Sequence, residues 1–366
     1  MPEYSGSGAK YMNKKVPEQF RKLEIYPGYA CTRHCRFCFV SSQDRIKYAK
    51  PMPFRKMCEI IYKAYQNGVR SLAVLGGEPT LYEKLTEMLA FAKRIGYSSF
   101  VIFSNGFRLS EKEYVQKLAA LNVEAVHLNL PSHEPEIFDY LSCSKNGIEN
   151  AVKAIHNLSE AKIPVIAVCV INKYNYDKLP EYAEFYLRCG VSFFMLHYTK
   201  LMGRLDPELP ENAENLKILI PASQAAGGIK QMTDFCVSKK ISPPFVEIMQ
   251  PCLLGRYSSR LIDFTQYHED PESEMMLQPG IDLSETWDLS YNGRGKLPSC
   301  AKCIWKDRCY GIDGNYIKIF GTEEFSPVIE NPGCYYDGLP EPFKKELMKA
   351  LPRVAAEKYM RLNGGM

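Results

Sequence analysis

The stretch CTRHCRFCFV, residues 31–40, places three cysteines, Cys31, Cys35 and Cys38, within eight positions of the chain. A closed structural zinc site needs four ligands, commonly with paired C-x2-C spacing, and this loop supplies three. Cysteine thiolates are also the usual ligands of iron–sulfur clusters, and an iron without a protein ligand stays open to another molecule. The three-thiol spacing therefore favours an iron–sulfur cube with one open iron.

The composition around this loop is that of a folded protein. The 366 residues are 46% apolar, enough to fill one large α/β domain and a smaller one. The formal charge of +4 is too balanced to indicate a nucleic-acid surface. No stretch resembles a signal-peptide core or approaches the roughly 18 apolar residues of a membrane helix. We therefore expect a cytoplasmic protein without a membrane partner. Its 13 cysteines should stay reduced, and the clustered ones are expected to be metal ligands or catalysts rather than disulfides.

Short apolar runs alternate with amphipathic helical stretches through most of the first 220 residues. This alternation predicts a parallel sheet, as an open barrel or a doubly wound sheet, with the chemistry at the carboxyl ends of the strands. The predicted strands are KLEIYPG (22–28), SLAVLGG (71–77), FVIFSNG (100–106), AVHLNLP (125–131), IPVIAVCVI (163–171) and SFFMLHY (192–198).

The cysteine loop has the C-x3-C-x2-C spacing with an aromatic residue, Phe37, directly before the third cysteine. In this it resembles the radical S-adenosylmethionine (SAM) superfamily. The resemblance implies a partial (β/α)6 TIM-like barrel with the loop after the first strand. It also implies that SAM chelates the open iron of a [4Fe–4S] cluster, that an electron donor such as flavodoxin or ferredoxin reduces the cluster, and that SAM is cleaved to a 5′-deoxyadenosyl radical. A zinc loop is the alternative.

The stretch LGGEPTL ends the second predicted strand. Gly76 and Gly77 allow the backbone to approach a ligand, Glu78 offers a carboxylate to an ammonium group, and Pro79 fixes the turn. These residues resemble the GGEP motif of the same superfamily, which holds the amino group of SAM. An ordinary β-turn is the alternative.

Further contacts to SAM are expected at the ends of later strands, where relatives place Ser, Thr, Asn or a Gly-Arg pair. Ser104 and Asn105 follow the third strand, although an Asn-Gly turn alone also explains them. Asn129 and Ser132 follow the fourth, where relatives usually carry a serine on the strand itself. Arg204 in KLMGR follows the sixth and is suited to grip a carboxylate, unless it is a solvated loop arginine.

A second group of cysteines lies in PSCAKCIWKDRCYG, and its spacing alone fits zinc or a cluster. The pattern C-x2-C-x5-C-x-G resembles the SPASM/twitch extension of radical SAM enzymes, which carries auxiliary [4Fe–4S] clusters. Asp313 stands where a ligand of an inner cluster is expected, so the resemblance implies one auxiliary cluster. Its expected ligands are Cys300, Cys303, Cys309 and Cys334.

Cys252 is the alternative fourth ligand in place of Cys334. If Cys252 binds no metal, it is a candidate thiol hydrogen donor, as some relatives that epimerise peptide residues require. The remaining cysteines show no metal spacing, and packing in the core is the default for such residues. They are Cys58, Cys143, Cys169, Cys189 and Cys236.

We expect an N-terminal extension over 1–21, the barrel over 22–220, a linker over 221–249, the small Cys-rich cluster domain over 250–340 and a C-terminal helix over 341–366.

The expected activity is radical oxidation, crosslinking or epimerisation of a peptide or protein substrate. The short N-terminal extension argues against a separate peptide-recognition domain, so a small-molecule dehydrogenase or deaminase is the alternative. A zinc-binding nucleic-acid module and a ferredoxin-like electron carrier are rivals of other classes. The acid–base residue stays open among candidates such as His127, His133 and His197.

Overall fold

The computed structural model describes residues 22–40, 50–261, 274–277, 293–307, 309–333 and 335. Within them, eight strands form one parallel sheet in the order β7-β6-β5-β4-β3-β2-β1-β8. The strands are β1 (Lys22–Ile25), β2 (Ser71–Val74), β3 (Ser99–Ser104), β4 (Ala125–Asn129), β5 (Val165–Val170), β6 (Phe193–His197), β7 (Phe245–Glu247) and β8 (Glu274–Leu277). The predicted partial barrel is confirmed, and its six predicted strands are β1–β6. The sheet continues with β7 at one edge and β8 at the other.

Helices alternate with the strands of this sheet. They are α1 (Phe54–Gln66), α2 (Leu85–Ile95), α3 (Lys112–Ala120), α4 (Pro135–Ser142), α5 (Gly147–Glu160), α6 (Leu179–Cys189), α7 (Ala213–Leu216), α8 (Ala222–Ser238), α9 (Pro251–Leu254) and α10 (Gly314–Phe320). Helix α1 is typical, because Met57, Ile61 and Ala64 recur at helical spacing and are buried on one face. None of the helices in the described ranges is long and apolar enough to cross a bilayer.

The two faces of the sheet differ in character because successive side chains of a strand point to opposite sides. In β4, Val126 and Leu128 pack in the large apolar core. His127 and Asn129 therefore lie on the opposite, inner face, where the His127 ring stacks on Phe103 of β3 with 4.2 Å between centroids. Polar groups for chemistry are thus on the inner face and at the carboxyl ends of the strands.

The C-terminal cysteines lie beside a small antiparallel pair, β9 (Arg294–Gly295) and β10 (Ile312–Asp313). The Asp313 carboxylate caps α10, since Oδ1 accepts from the backbone N–H of Asn315 at 2.8 Å. This cap gives Asp313 a structural task, in keeping with one auxiliary cluster rather than two. The predicted domain boundaries stay predictions, and Cys334 with the segments 1–21 and 341–366 lies outside the described residues.

The cysteines without metal spacing occupy three environments. Cys169 and Cys236 are fully buried, as expected for core packing, and Cys58 and Cys189 are half-buried. The prediction was wrong for Cys143, which is exposed. It follows the last residue of α4 in the left-handed conformation, with φ 49°, at the point where the helix leaves the core.

Candidate active site

The cysteine loop follows β1 and is fixed by backbone hydrogen bonds. The N–H of Cys38 donates to the carbonyl oxygen of Cys35 at 3.1 Å, and the N–H of Arg36 donates to that of Leu141, in α4, at 2.9 Å. Phe37 is buried in a small apolar cluster that includes Leu141. The aromatic residue of the motif therefore anchors the loop.

Two side-chain amides reach the sulfurs of this loop from the ends of neighbouring strands. Nδ2 of Asn105 donates to Sγ of Cys31, and Nδ2 of Asn129 donates to Sγ of Cys35, both at 3.6 Å. The backbone N–H of Arg33 also donates to Sγ of Cys31, at 3.4 Å. N–H groups directed at sulfur are the outer-shell partners that tune and hold thiolate-bound clusters. The donor set therefore fits an iron–sulfur cluster.

Burial raises the pKa of the Cys31 and Cys35 thiols. Both thiols must lose their protons to bind iron, so cluster binding releases protons at this loop. Within the described ranges, no three His, Cys, Asp or Glu side chains gather around the position of a single ion. A cubane spaces its thiolates more widely, because each sulfur binds a different iron.

The glycine loop after β2 lies directly against the residues that lead into Cys31. The N–H of Gly77 donates to the carbonyl oxygen of Gly28 at 2.9 Å, and the N–H of Glu78 donates to that of Ala30 at 2.7 Å. A Cβ added at Gly77 would stand 2.2 Å from the oxygen of Ala30. Only glycine permits this approach.

The Glu78 carboxylate is 3% exposed and joins the glycine loop to the end of β3. Its Oε1 accepts from the hydroxyls of Thr80 at 2.6 Å and Ser104 at 2.8 Å, and from the N–H of Thr80 at 3.1 Å. Its Oε2 accepts from the N–H of Asn105 at 2.7 Å. The carboxylate thus organises the loops on both sides, and its contact with the ammonium group of SAM stays a prediction. Pro79 begins the short 3-10 turn Pro79–Leu81 that follows.

Arg204 contacts the cysteine loop from the segment after β6. Its N–H donates to the carbonyl oxygen of Cys38 at 3.0 Å, and Nη1 donates to that of His34 at 3.3 Å. Ser132 is 2% exposed, and its hydroxyl accepts from the N–H of Glu134 at 3.0 Å in the turn before α4. The structure thus brings Arg204 to the site and engages the Ser132 hydroxyl within its own turn.

Two features of the site were not predicted from the sequence. Arg33, between two of the cysteines, is 5% exposed, although an arginine in a polar loop is normally solvated. Glu247 ends β7 beside His197 at the end of β6, with 3.2 Å between Nε2 of His197 and Oε2 of Glu247. Glu247 falls in the predicted linker, where a strand of three residues gives too short an alternation to detect.

The C-terminal region holds a second group of cysteines, which are Cys252, Cys300, Cys303 and Cys309. Burial raises the pKa of Cys252 to about 12, and the thiols of Cys309, Cys303 and Cys300 add to the effect. The N–H of Gly311 donates to Sγ of Cys309 at 3.3 Å, and Nε2 of Gln250 donates to the carbonyl oxygen of Gly311 at 3.2 Å. Cys252 is therefore a neighbour of the three cysteines of the C-x2-C-x5-C pattern.

The comparisons with known proteins agree with this geometry. Residues 25–186 match the model of the Radical SAM superfamily. These residues of the barrel form a radical SAM domain. Radical SAM domains bind SAM and a [4Fe–4S] cluster, so the cofactors predicted for the barrel are confirmed at the level of the family.

Relatives and solved structures of radical SAM proteins show how far the likeness extends. The sporulation killing factor maturation protein SkfB of Bacillus subtilis is 29% identical over 48% of this chain and 42% of its own length. A probable GTP 3′,8-cyclase of Methanococcus maripaludis is 22% identical over 56% of this chain and 71% of its own. The crystal structure of Streptococcus suis SuiB bound to precursor peptide SuiA matches with a TM-score of 0.59 and 19% identity, over 84% of this chain and 75% of that one. This chain therefore spans less than half of SkfB, and the likeness to SuiB concerns the fold.

Proposed function

We propose that this radical SAM protein reductively cleaves SAM at the loop of Cys31, Cys35 and Cys38 and abstracts hydrogen from a peptide or protein substrate. When bound, the [4Fe–4S] cluster supplies the electron that releases the 5′-deoxyadenosyl radical from SAM. The substrate is then oxidised, crosslinked or epimerised. Flavodoxin or ferredoxin is the proposed electron donor, and the cytoplasm the proposed location.

One observation carries the proposal: amide groups from β3 and β4 meet the sulfurs of a three-cysteine loop that rests on the glycine loop. Asn105 and Asn129 orient two thiolates, and three protein thiolates leave one iron of a cubane open. Gly77 and Glu78 hold the backbone beside the loop, where the amino group of SAM is expected. The chain's own residues thus fix the cluster and the position of SAM relative to it.

The inner face of the barrel is the proposed path of the substrate. Active sites of barrels lie at the carboxyl ends of the strands, where the His197–Glu247 pair also lies. A carboxylate beside an imidazole orients its ring. We therefore propose that His197 exchanges a proton with the substrate and that Glu247 positions its ring.

A peptide substrate is favoured over a small molecule by the relatives. SkfB is a maturation protein of a killing factor, and SuiB was crystallised with its precursor peptide. A small-molecule substrate is the second candidate, because one relative is a probable GTP 3′,8-cyclase. A zinc-binding nucleic-acid module is disfavoured, because the barrel is a radical SAM domain and the net charge is only +4.

An auxiliary [4Fe–4S] cluster is the second part of the proposal, with Cys300, Cys303 and Cys309 as ligands and Cys334 or Cys252 as the fourth. The thiols of the three cysteines act on Cys252, which supports Cys252 either as a ligand or as a thiol hydrogen donor beside the cluster. The rate of iron loss to a chelator separates these roles. If Cys252 is a ligand, Cys252→Ala leaves one iron of the auxiliary cluster open, and iron should be lost faster than from the wild type; if it is not, the rate should stay at the wild-type value. Cys143→Ala, at an exposed thiol, is the matched control.

The test of the activity starts with protein reconstituted without oxygen and mixed with SAM and dithionite. We expect about eight irons per chain and formation of 5′-deoxyadenosine. Cys35→Ala should abolish this product, and retention of it would contradict the proposed site.

The substrate class is tested by deuterium transfer to 5′-deoxyadenosine. A lysate of cells grown in deuterated medium is separated by size into a peptide and a small-molecule fraction, and GTP is tested by itself. Label from the peptide fraction supports the proposal. Label only from the small-molecule fraction, or turnover of GTP, assigns the second candidate instead.

A further inference from the structure

Arg33 carries a buried positive charge inside the cysteine loop. Its Nη2 donates to the carbonyl oxygen of Gly147 at 3.4 Å, and its guanidinium lies 5.1 Å from the centroid of the Phe138 ring. Nη1 is buried and has no hydrogen-bond partner in the part of the chain that the structure describes. Across the same residues, Arg33 takes part in no ion pair.

Two acidic residues, Glu78 and Asp139, interact electrostatically with Arg33, but both carboxylates already have other hydrogen-bond partners. Four donors bind the Glu78 carboxylate, as described for the glycine loop. Asp139 accepts from the N–H of Gly147 at 2.8 Å, from the hydroxyl of Ser144 at 2.9 Å and from the N–H of Asn146 at 2.8 Å. Neither carboxylate is hydrogen-bonded to Arg33, so the residues that the structure describes do not neutralise this charge directly.

A buried charge without a partner destabilises a folded protein, and its retention calls for an opposite charge at that place. Cys31 and Cys35 flank Arg33 in sequence, and the backbone N–H of Arg33 donates to Sγ of Cys31 at 3.4 Å. A [4Fe–4S] cluster held by three thiolates carries a net negative charge, which grows by one unit on reduction. The cluster thus provides the charge that the described residues do not.

We infer that Arg33 is the counter-charge of the [4Fe–4S] cluster at Cys31, Cys35 and Cys38. A fixed cation beside the cluster stabilises its reduced state more than its oxidised state, and so raises the midpoint potential at which the donor loads the electron. Arg33 is a positioning residue in this inference, acting on the cluster through its charge. The inference rests on the binding of a cluster by the radical SAM domain.

The test is a redox titration of the SAM-responsive cluster signal by electron paramagnetic resonance. Arg33→Met removes the charge, Arg33→Lys retains it, and Arg36→Met removes a half-buried charge from the same loop as a control. We expect Arg33→Met to lower the ratio of reduced to oxidised cluster at the wild-type midpoint at least tenfold, equal to about 59 mV for one electron. Arg33→Lys should recover most of this loss. An Arg33→Met midpoint equal to that of wild type or of Arg36→Met would overturn the inference.

If the Arg33→Met variant binds no iron, the inference is tested by thermal melting of the iron-free chains. The iron-free Arg33→Met chain should melt at a higher temperature than the iron-free wild type, because the unpaired buried charge is gone. The variant should also gain less from reconstitution than the wild type does. A lower melting temperature of the iron-free variant would instead show that Arg33 acts only by packing on Phe138, and would overturn the inference. A wild-type chain that binds no iron at the loop would contradict the proposed function and leave this comparison of iron-free chains intact.

Discussion

Gly77 lies so close to Ala30 that a Cβ at position 77 would stand 2.2 Å from the carbonyl oxygen of Ala30 and 2.4 Å from that of Tyr29. Both oxygens are backbone atoms, which cannot rotate away as a flexible side chain can. This contact joins the glycine loop to the segment that leads into the cysteine loop. The relative position of the glycine loop and the cysteine loop therefore depends on the absence of one methyl group.

Gly77→Ala should separate the two loops. We expect the melting temperature to fall and SAM binding, measured by calorimetry on the reconstituted protein, to weaken at least tenfold. Gly227→Ala is the matched control, because no heavy atom lies within 4 Å of its added Cβ and the position is inside α8. There, alanine should stabilise the helix by up to about 1 kcal/mol. Equal effects of the two substitutions would refute the role given to the contact.

Asn129 contributes an N–H group to the sulfur of Cys35, and Asn129→Asp replaces that donor with a carboxylate. Repulsion between the carboxylate and the thiolate should make the cluster easier to lose. Changes to outer-shell partners typically weaken metal binding by about 10–100-fold, and we expect a similar increase in the rate of iron loss to a chelator. Asn67→Asp, at an exposed position after α1, should leave this rate unchanged. The hydrogen bond has no role in holding the cluster if both variants lose iron at the wild-type rate.

The barrel could be predicted from the sequence because β1–β6 are apolar runs that alternate with helices along the chain. The short strand β7 could not be predicted, because the alternation of buried and exposed positions is too short in its three residues, Phe245, Val246 and Glu247. Arg33 was missed for another reason: sequence shows its charge but not its burial, which depends on contacts with Phe138 and Gly147 far along the chain.

Among the proposed contacts to SAM, the sequence identified residues at strand ends but not their hydrogen bonds. Glu78 and Ser104 were predicted as separate contacts to SAM, and the structure joins them to each other. Such a pairing depends on the parallel register of β2 and β3, which places the ends of the two strands side by side. No local pattern in the sequence encodes it.

Stability at alkaline pH should depend on Cys236, since burial raises the pKa of its thiol to about 12. The unfolded thiol titrates near pH 8.5, so between about pH 8.5 and 12 the folded state binds more protons than the unfolded state. The free energy of unfolding must then fall as the pH rises, by up to about 1.4 kcal/mol per pH unit for this group. The decline should be less steep in Cys236→Ala. Urea unfolding of the full chain between pH 8 and 11 measures it, with the exposed Cys143→Ala as control. Parallel declines in all three proteins would rule out this effect of Cys236.

The pair of His197 and Glu247 lies at the ends of β6 and β7 on the inner face of the barrel, with 3.2 Å between Nε2 and Oε2. If His197 exchanges a proton with the substrate, His197→Gln should lower substrate turnover by roughly 10²–10⁴-fold. Cleavage of SAM in the absence of substrate should continue at the wild-type rate, because the pair ends β6 and β7, whereas the cysteine loop follows β1. Glu247→Gln should lower turnover less, since it alters only the orientation and basicity of the imidazole.

His156→Gln, at an exposed position on α5, is the matched control for the histidine change. Product and 5′-deoxyadenosine are counted in the same reaction, with the substrate fraction that transfers deuterium. A rise in 5′-deoxyadenosine per product in His197→Gln means that the radical still forms while the later proton step fails, as proposed. If both quantities fall together, the pair supports the SAM site or the fold instead, and the acid–base group must be sought among the other residues of the inner face.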